Sequence, residues 1–400
     1  MNAADTAFVL ISAALVMFMT PGLALFYGGM VRSKNVLATI MQSFILLGLV
    51  SIIWAVCGYS LAFGTDQGGI IGSLEYLFLN GVGMEAGPFS ETIPHLAFMI
   101  FQCMFAVITP ALITGAFAER MKFGGFLVFT TLWILVVYAP MAHWVWGKGW
   151  MAEMGALDFA GGAVVHMSSA AAALAATVVM GKRKGHGSTA FIPHNLPMTV
   201  LGAGILWFGW FGFNAGSALA ADGFAANAFV TTHMAAAAAA LAWILMEKLH
   251  SGKATTLGAA SGAVAGLVAI TPAAGYVTVM PAIIIGLGGG VFCFLGVLLK
   301  GKLGYDDSLD VVGVHGVGGT WGAIATGLFA SINKTTGLFY GNPSQLWIQL
   351  ASVAATWAFC FIASLILFKL VDATVGLRAN AEEQDRGMDL SEHNETAYQA

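Results

Sequence analysis

The chain has 400 residues, of which 58% are hydrophobic and 9% charged, against about 25% charged in a soluble domain. No water-soluble core needs that much apolar surface, so the composition excludes a soluble globular protein and requires a polytopic membrane protein. The formal charge of −4 identifies no partner, because lipid-embedded chains keep their charges in loops, and nothing in it points to nucleic acid.

From the N-terminus, MNAADTA has no basic segment, and the apolar run behind it is too long for a signal-peptide core, so no cleavable signal is expected. Hydropathy predicts eleven transmembrane helices at about 7–29, 37–63, 94–117, 123–142, 158–180, 196–217, 225–246, 256–272, 279–299, 310–331 and 345–369. The expected fold class is therefore an all-α polytopic membrane protein.

With the N-terminus outside, the inner loops hold Arg32, Lys34, Arg120, Lys122, Lys182, Arg183, Lys184, Lys248, Lys253, Lys300, Lys302, Lys369, Arg378 and Arg386. The outer loops hold only Lys148 and Lys334. The positive-inside rule then places the N-terminus out and the C-terminus in. Spans one to five and six to ten form two halves of opposite orientation, about 1–194 and 195–332, as in a duplicated membrane fold. The span at 345–369 stands apart as a brace. A single transmembrane domain, 1–371, is followed by a polar, acidic tail, 372–400, read first as a solvated cytosolic end and second as a regulatory segment.

The outer loop 64–90 carries Asp66, Glu75 and Glu85 without Lys or Arg. It is either an acidic vestibule that concentrates cations or a solvated glycine-rich loop. Alanine runs at 170–173 and 235–240 and 51 glycines predict closely packed helices. The four cysteines lie singly in apolar runs, which suits packing.

The segment 157–185 holds one ionisable residue within its apolar run, His166, and 309–322 holds His315. An imidazole in hydrocarbon is costly unless it faces a cavity or a partner, so both are candidate functional residues. The two contexts echo each other, Leu157-Asp158 before His166 and Leu309-Asp310 before His315. Two neutral imidazoles sharing one proton would offer one N–H donor and one bare acceptor, which suits a small molecule able to donate and accept. His95, His194 and His250 read as satisfied polar groups at element ends, His186 and His393 as solvated residues, and His233 as a packing residue.

Phe101 and Phe105 share a helix face, Trp210, Phe213 and Ser217 form a second stripe, and Trp144 and Trp146 follow the fourth span. Each aromatic taken singly reads as lipid contact or belt; together, beside Ser217, they suit a cation-π cage. Asp158 reads first as a helix cap and second as a fixed charge that favours a cation.

In DFAGGAVVHMSSAAAALAATVVMGKRKG (158–185) the chain closely resembles the ammonium transporter (Amt/Mep/Rh) family, of the bacterial and archaeal type. PGLALFYGGMVRSKN (21–35), FQCMFAVIT (101–109), YAPMAHWVWG (138–147), WFGFNAGSA (210–218), ITPAAGY (270–276), DVVGVHGVGG (310–319) and DATVGLRANAEEQDRGMDLSEH (372–393) extend the resemblance over essentially the whole chain. It implies an external recruitment site of Phe101, Phe105, Trp146 and Ser217, its architecture stabilised by Asp158. It further implies phenyl gates at Phe105 and Phe213, twin pore histidines at His166 and His315, and Trp210 and Thr271 along the conduction path or inner vestibule. A homotrimer with one pore per subunit, and a cytosolic regulator of the PII class, are expected. No cofactor, metal or enzymatic activity is implied.

The expected activity is recruitment and deprotonation of ammonium and conduction of ammonia, with or without separate transfer of the proton. An ammonium sensor on the same fold is a second reading, less favoured because the tail holds no kinase or cyclase domain. A membrane haem protein with His166 and His315 as axial ligands and a metallohydrolase, for which HExxH is lacking, rank lower.

Overall fold

A computed structural model describes residues 1–398. The predicted spans appear as helices α1 (Ala3–Met30), α2 (Ser33–Phe63), α3 (His95–Phe117), α4 (Phe123–Met154), α5 (Gly162–Met180), α6 (Leu196–Ala218), α7 (Gly223–Ser251), α8 (Thr256–Ile270), α9 (Val279–Leu303), α10 (Val317–Phe329) and α11 (Pro343–Thr374). Among the described residues nine are long and apolar enough to cross a membrane, and α8 and α10, also expected as spans, are shorter. A π-helical turn, Val312–Gly316, lengthens α10 at its N-terminal end.

Start and stop signals are local. Asn2 caps α1, Asp222 caps α7 and Thr255 caps α8 through side-chain acceptors to the first free N–H groups. Gly252 and Gly304 close α7 and α9 in the left-handed conformation.

Packing follows residue size. Ala235, Ala236 and Ala239 are buried, while Leu241 and Leu245 on the same helix are exposed. A Cβ on Gly286 or Gly290 of α9 would collide with the carbonyls of Ala235 and Ala239. Small residues thus face the neighbouring helices and large apolar ones face outward, as a lipid-facing bundle requires. Helix α1 packs on α6, α3 lies against α1 and α5, and α8 lies against α6 and α10.

At the N-terminal face the segment between α2 and α3 is more than a loop. It forms two hairpins, β1 (Asp66–Gln67) with β2 (Ile71–Gly72) and β3 (Ala86–Gly87) with β4 (Ser90–Pro94), and the Asn2 N–H donates to Thr92 O at its edge. The fourth helix runs past the predicted end at 142 to Trp146, so Trp144 and Trp146 are helical; it then breaks at Gly147–Gly149 before a short helical turn, Trp150–Met154.

At the opposite face, the loops expected to share one side converge in an ion network. Arg183 bonds Asp306 at 2.9 Å and Glu119 at 3.2 Å, Arg32 bonds Glu119 at 2.8 Å, and Arg120 bonds Ser308 Oγ and Asp306 O at 2.6 Å each. His186, expected as solvated, has its Nδ1 3.2 Å from Asp306. The tail is docked rather than solvated. It carries α12 (Ala381–Arg386), opened by an Asn380–Glu383 capping box, and α13 (Met388–His393), with Met388 and Asp389 buried. Asp389 accepts from Ala38 N, Arg378 donates to Met180 O and Lys182 O, and Lys184 pairs with Asp385.

Burial alone would raise the Asp306 carboxyl, but hydrogen bonds and charge from Arg183, with Arg120, outweigh it and hold it down to about 2. A depressed folded value means that its stabilisation is complete above about pH 4 and is lost as pH falls towards 2. Asp306→Asn takes from buried Arg183 one of its two carboxylates and from buried Arg120 the carboxylate 3.9 Å away, and is expected to cost about 3–5 kcal/mol at pH 7. Thermal unfolding in detergent should show that deficit shrinking as the buffer is acidified below pH 4.

Candidate functional site

The site begins with backbone geometry. Asp158 accepts from the N–H groups of Gly161 (2.9 Å), Gly162 (2.5 Å), Ala163 (2.8 Å) and Val164 (3.2 Å). These are the donors a helix start leaves unsatisfied, so the capping reading of Asp158 is realised directly. The helix opens as a π-turn, Gly162–Met167, with Gly161 at φ +118°. A Cβ on Gly162 would strike the Pro272 ring at 2.6 Å, so only glycine lets this start of α5 approach the end of α8.

The second histidine also rides on a π-turn, Val312–Gly316, a geometry frequent at functional sites. Its cap differs from the sequence echo. Asp307 Oδ2, not Asp310, accepts from Val312 N at 2.7 Å. Asp310 itself sits at φ +63° and pairs with Lys300. Burial is the main cause that raises the Asp307 carboxyl to about 6, with Lys300 opposing and Asp310 adding to the rise.

The two turns bring His166 and His315 together. Both are buried, their Nδ1 atoms are 3.2 Å apart, and the rings are 5.3 Å between centroids at 26°. His166 Nε2 has no partner among the described residues. Trp210 and Phe213 lie against the His166 ring, at 5.5 and 6.1 Å between centroids. The cavity here is about 10 Å³, walled by Met19, Leu23, Phe26, Leu206 and other apolar side chains besides the histidines. That is space for one water-sized centre at most. It leaves no room for a porphyrin between the imidazoles, which removes the haem reading.

On the N-terminal side a pocket of about 260 Å³ is lined by Phe105, Trp146, Ser217, Gln102, Phe89, Phe98, Phe159, Val145 and Leu219. Phe105, which lines this pocket, and Phe213, which lines the narrow cavity, lie 4.3 Å apart between centroids at 32°; Trp146 meets Phe105 edge-on at 5.7 Å. Ser217 donates its hydroxyl to Phe213 O at 2.9 Å, which leaves its lone pairs as acceptors. Beyond the histidines a pocket of about 60 Å³ is lined by His315, Tyr27, Trp243, Ser261 and Asp310 among others.

Of the predicted residues, Phe105, Trp146 and Ser217 line the large pocket, and His166, His315, Trp210 and Phe213 line the narrow one. Phe101 does not line the pocket: it sits behind Phe105, 5.0 Å between centroids. Thr271 lines neither cavity; it accepts from Trp210 Nε1 at 3.0 Å and so fixes the indole. Asp158 lies beneath the pocket wall, where its carbonyl accepts from Trp146 Nε1 at 2.9 Å. The sequence reading missed Phe89, Phe98, Phe159 and Gln102 in the large pocket and Ser261 in the inner one. Phe98 and Gln102, at i, i+4 on the helix that carries Phe105, were within reach of the same spacing argument.

Residues 7–398 match the model of the Ammonium Transporter Family. The chain is 57% identical over 404 residues to an ammonium transporter of Bacillus subtilis, covering 100% of this chain and 99% of the relative. It is 49% identical to the ammonium transporter Amt1 of Archaeoglobus fulgidus, covering 100% of both. Among solved structures, Mep2 of Candida albicans superposes with a TM-score of 0.90 at 37% identity, over 96% of this chain and 88% of that one. A structure titled Sensor Amt Protein superposes with a TM-score of 0.91 at 30% identity, over 98% of each.

Asp158→Ala strands four buried N–H groups and is expected to cost about 3 kcal/mol or more, since each lost partner costs about 1–3. Asp158→Asn, which keeps one oxygen acceptor, should lose less. Melting temperatures of the two variants in detergent check the order; an unchanged value for the alanine variant would remove the cap from this account.

Proposed function

The chain belongs to the ammonium transporter family, and from that premise we propose how its geometry carries ammonium across the cell membrane. It is a transporter and not an enzyme. The N-terminal face, with its two hairpins, is the outside; the face with the basic loops and docked tail is the cytosol. The bundle comprises eleven spans in inverted halves, about 1–194 and 195–332, with α11 as the brace.

The outer pocket recruits ammonium. Phe105 and Trp146 offer aromatic faces to the cation, and Ser217 offers an oxygen acceptor. Potassium has a similar radius, so the pocket alone cannot exclude it. The step below can. A bare cation entering an apolar tube loses its hydration at a cost of several kcal/mol or more, and only ammonium can avoid that by giving up a proton.

The observation that carries the reading is the Nδ1–Nδ1 contact of 3.2 Å. Between two neutral rings it holds a single proton. One ring is then a donor at Nδ1 and bare at Nε2; the other is an acceptor at Nδ1 and carries its proton at Nε2. The pair therefore presents one donor and one acceptor to the lumen, complementary to ammonia. Phe105 and Phe213 act as the gate that keeps water and ions from this pair, and Trp210, fixed by Thr271, forms its wall. The released proton either remains outside or crosses separately through the imidazoles.

Each subunit of a homotrimer would hold such a path, and a PII-type regulator would dock on the basic cytosolic face. The sensor reading is weaker: full-length relatives named as transporters are 49–57% identical, whereas the structure titled as a sensor is 30% identical.

Proteoliposome flux tests the histidines. His166→Leu and His315→Leu are each expected to abolish ammonium-selective uptake or to admit potassium; wild-type rate and selectivity in both would overturn the role. Trp146→Leu is expected to raise the half-saturating ammonium concentration about tenfold, equivalent to about 1.4 kcal/mol of cation-π attraction. An unchanged value would remove the recruitment site.

A further inference from the structure

A third histidine, His143 of α4, is fully buried and lies outside the conduction path just described. Both ring nitrogens face oxygen: Nδ1 is 2.9 Å from Ala62 O, and Nε2 is 2.8 Å from Asp66 Oδ1. A carbonyl only accepts, so Nδ1 carries a proton. Nε2 then meets a carboxylate oxygen, also an acceptor when ionised, and the 2.8 Å bond requires a second proton lying between them.

This bond sits where the wall of the outer pocket is made. His143 is one helical turn before Trp146. The N–H groups of Gly147 and Gly149 donate to His143 O at 3.0 Å, and a Cβ on Gly147 would collide with both Ala62 O and His143 Nδ1. The helix thus turns tightly over the histidine directly after Trp146. Asp66 ties the same turn to the first hairpin, where it also accepts from Gly69 N–H at 2.8 Å. The hairpin is held again by Trp144 Nε1 to Ile70 O at 2.8 Å and by Trp150 N to Gly69 O at 3.0 Å.

We propose that His143 and Asp66 are a positioning pair for the outer ammonium site, the proton held between them fixing the turn that sets the Trp146 indole against Phe105. This rests on the reading of the outer pocket as the recruiting site. Neither residue touches the cation. Their effect is on how tightly it is held, so their loss weakens half-saturation and spares the rate at saturation.

The test measures concentration-dependent uptake of radiolabelled methylammonium into proteoliposomes for Asp66→Ala, Asp66→Asn, His143→Phe and Trp146→Leu. Asp66 is 34% exposed at its side chain, so its variants carry the test even if the buried His143→Phe fails to fold. Asp66→Ala removes the bond and is expected to raise the half-saturating concentration about tenfold, with the maximal rate within about twofold. Asp66→Asn offers an N–H donor to a neutral Nε2 while its oxygen keeps Gly69, so it should recover to within about twofold of the wild type in both constants. The proposal is overturned if Asp66→Ala leaves half-saturation unchanged, if it lowers only the maximal rate, or if Asp66→Asn is as impaired as Asp66→Ala. Trp146→Leu separates the two levels: a shift there without one in Asp66→Ala sinks the pair alone, and no shift in either sinks the recruiting site with it.

Discussion

A buried imidazole needs a partner, and in this bundle the partner is another imidazole. The contact between His166 and His315, 3.2 Å at Nδ1, lies among leucine, methionine, valine and phenylalanine side chains that can neither donate nor accept, beside Trp210, whose one N–H is committed to Thr271. Each ring supplies the other's missing hydrogen bond, which makes two polar groups tolerable in a dry interior. To keep that distance, α5 and α10 must start at fixed depths and rotations. Each does so by a π-turn whose free N–H groups are gathered by an aspartate, Asp158 in one case and Asp307 in the other. The carboxylates thus act on the site through the backbone, at the head of the helix rather than in the lumen.

The two faces of the bundle use charge differently. At the tail face, Arg32, Arg120 and Arg183 are matched to Glu119 and Asp306 within a cluster that is largely shielded from water. Buried pairs of this kind add little net stability, but breaking one is costly, so they specify geometry. Here they lock the ends of α1, α3 and α5 to the segment before α10, the same segment that holds Asp307. The docked tail caps this arrangement, with Asp389 at the start of α2 and Arg378 on the end of α5. At the N-terminal face the aromatics Phe89, Phe98 and Phe159 build the pocket wall.

Much of this was legible in the chain. The spans, the loops that share a face, the close helix packing and the pairing of His166 with His315 follow from hydropathy, from small-residue runs and from the cost of a polar group in hydrocarbon. What escaped was set by three-dimensional contact. Asp310 looked like the counterpart of Asp158 because each follows a leucine, yet the cap is Asp307, eight residues before His315 as Asp158 is before His166, while Asp310 is left-handed and pairs with Lys300. His143 lies one residue past the end that hydropathy gives its span, outside the apolar stretch in which an imidazole stands out. The tail looked solvated because polarity was read without its partners, which are the helix ends and basic loops far earlier in the chain. Phe101 and Thr271 stand one layer behind the cavities, a distinction that spacing along one helix cannot make.

The layering bears on selectivity. If binding and rejection were both done in the outer pocket, aromatic faces would have to tell ammonium from potassium, two monovalent cations of similar radius, by attraction alone. The arrangement of pocket, adjoining phenyls and paired imidazoles divides the task. A wide, partly polar pocket of about 260 Å³ tolerates a hydrated cation, whereas a space of about 10 Å³ beyond Phe105 and Phe213 does not. On the proposed reading the discriminating property is then the presence of a removable proton, which potassium lacks, and the pocket need only hold the cation long enough to lose it. That places the demand for rigidity on the few side chains that orient the cage, and it explains why Asp158 O, Thr271 Oγ1 and His143 O accept from indole and backbone N–H groups rather than from the cargo.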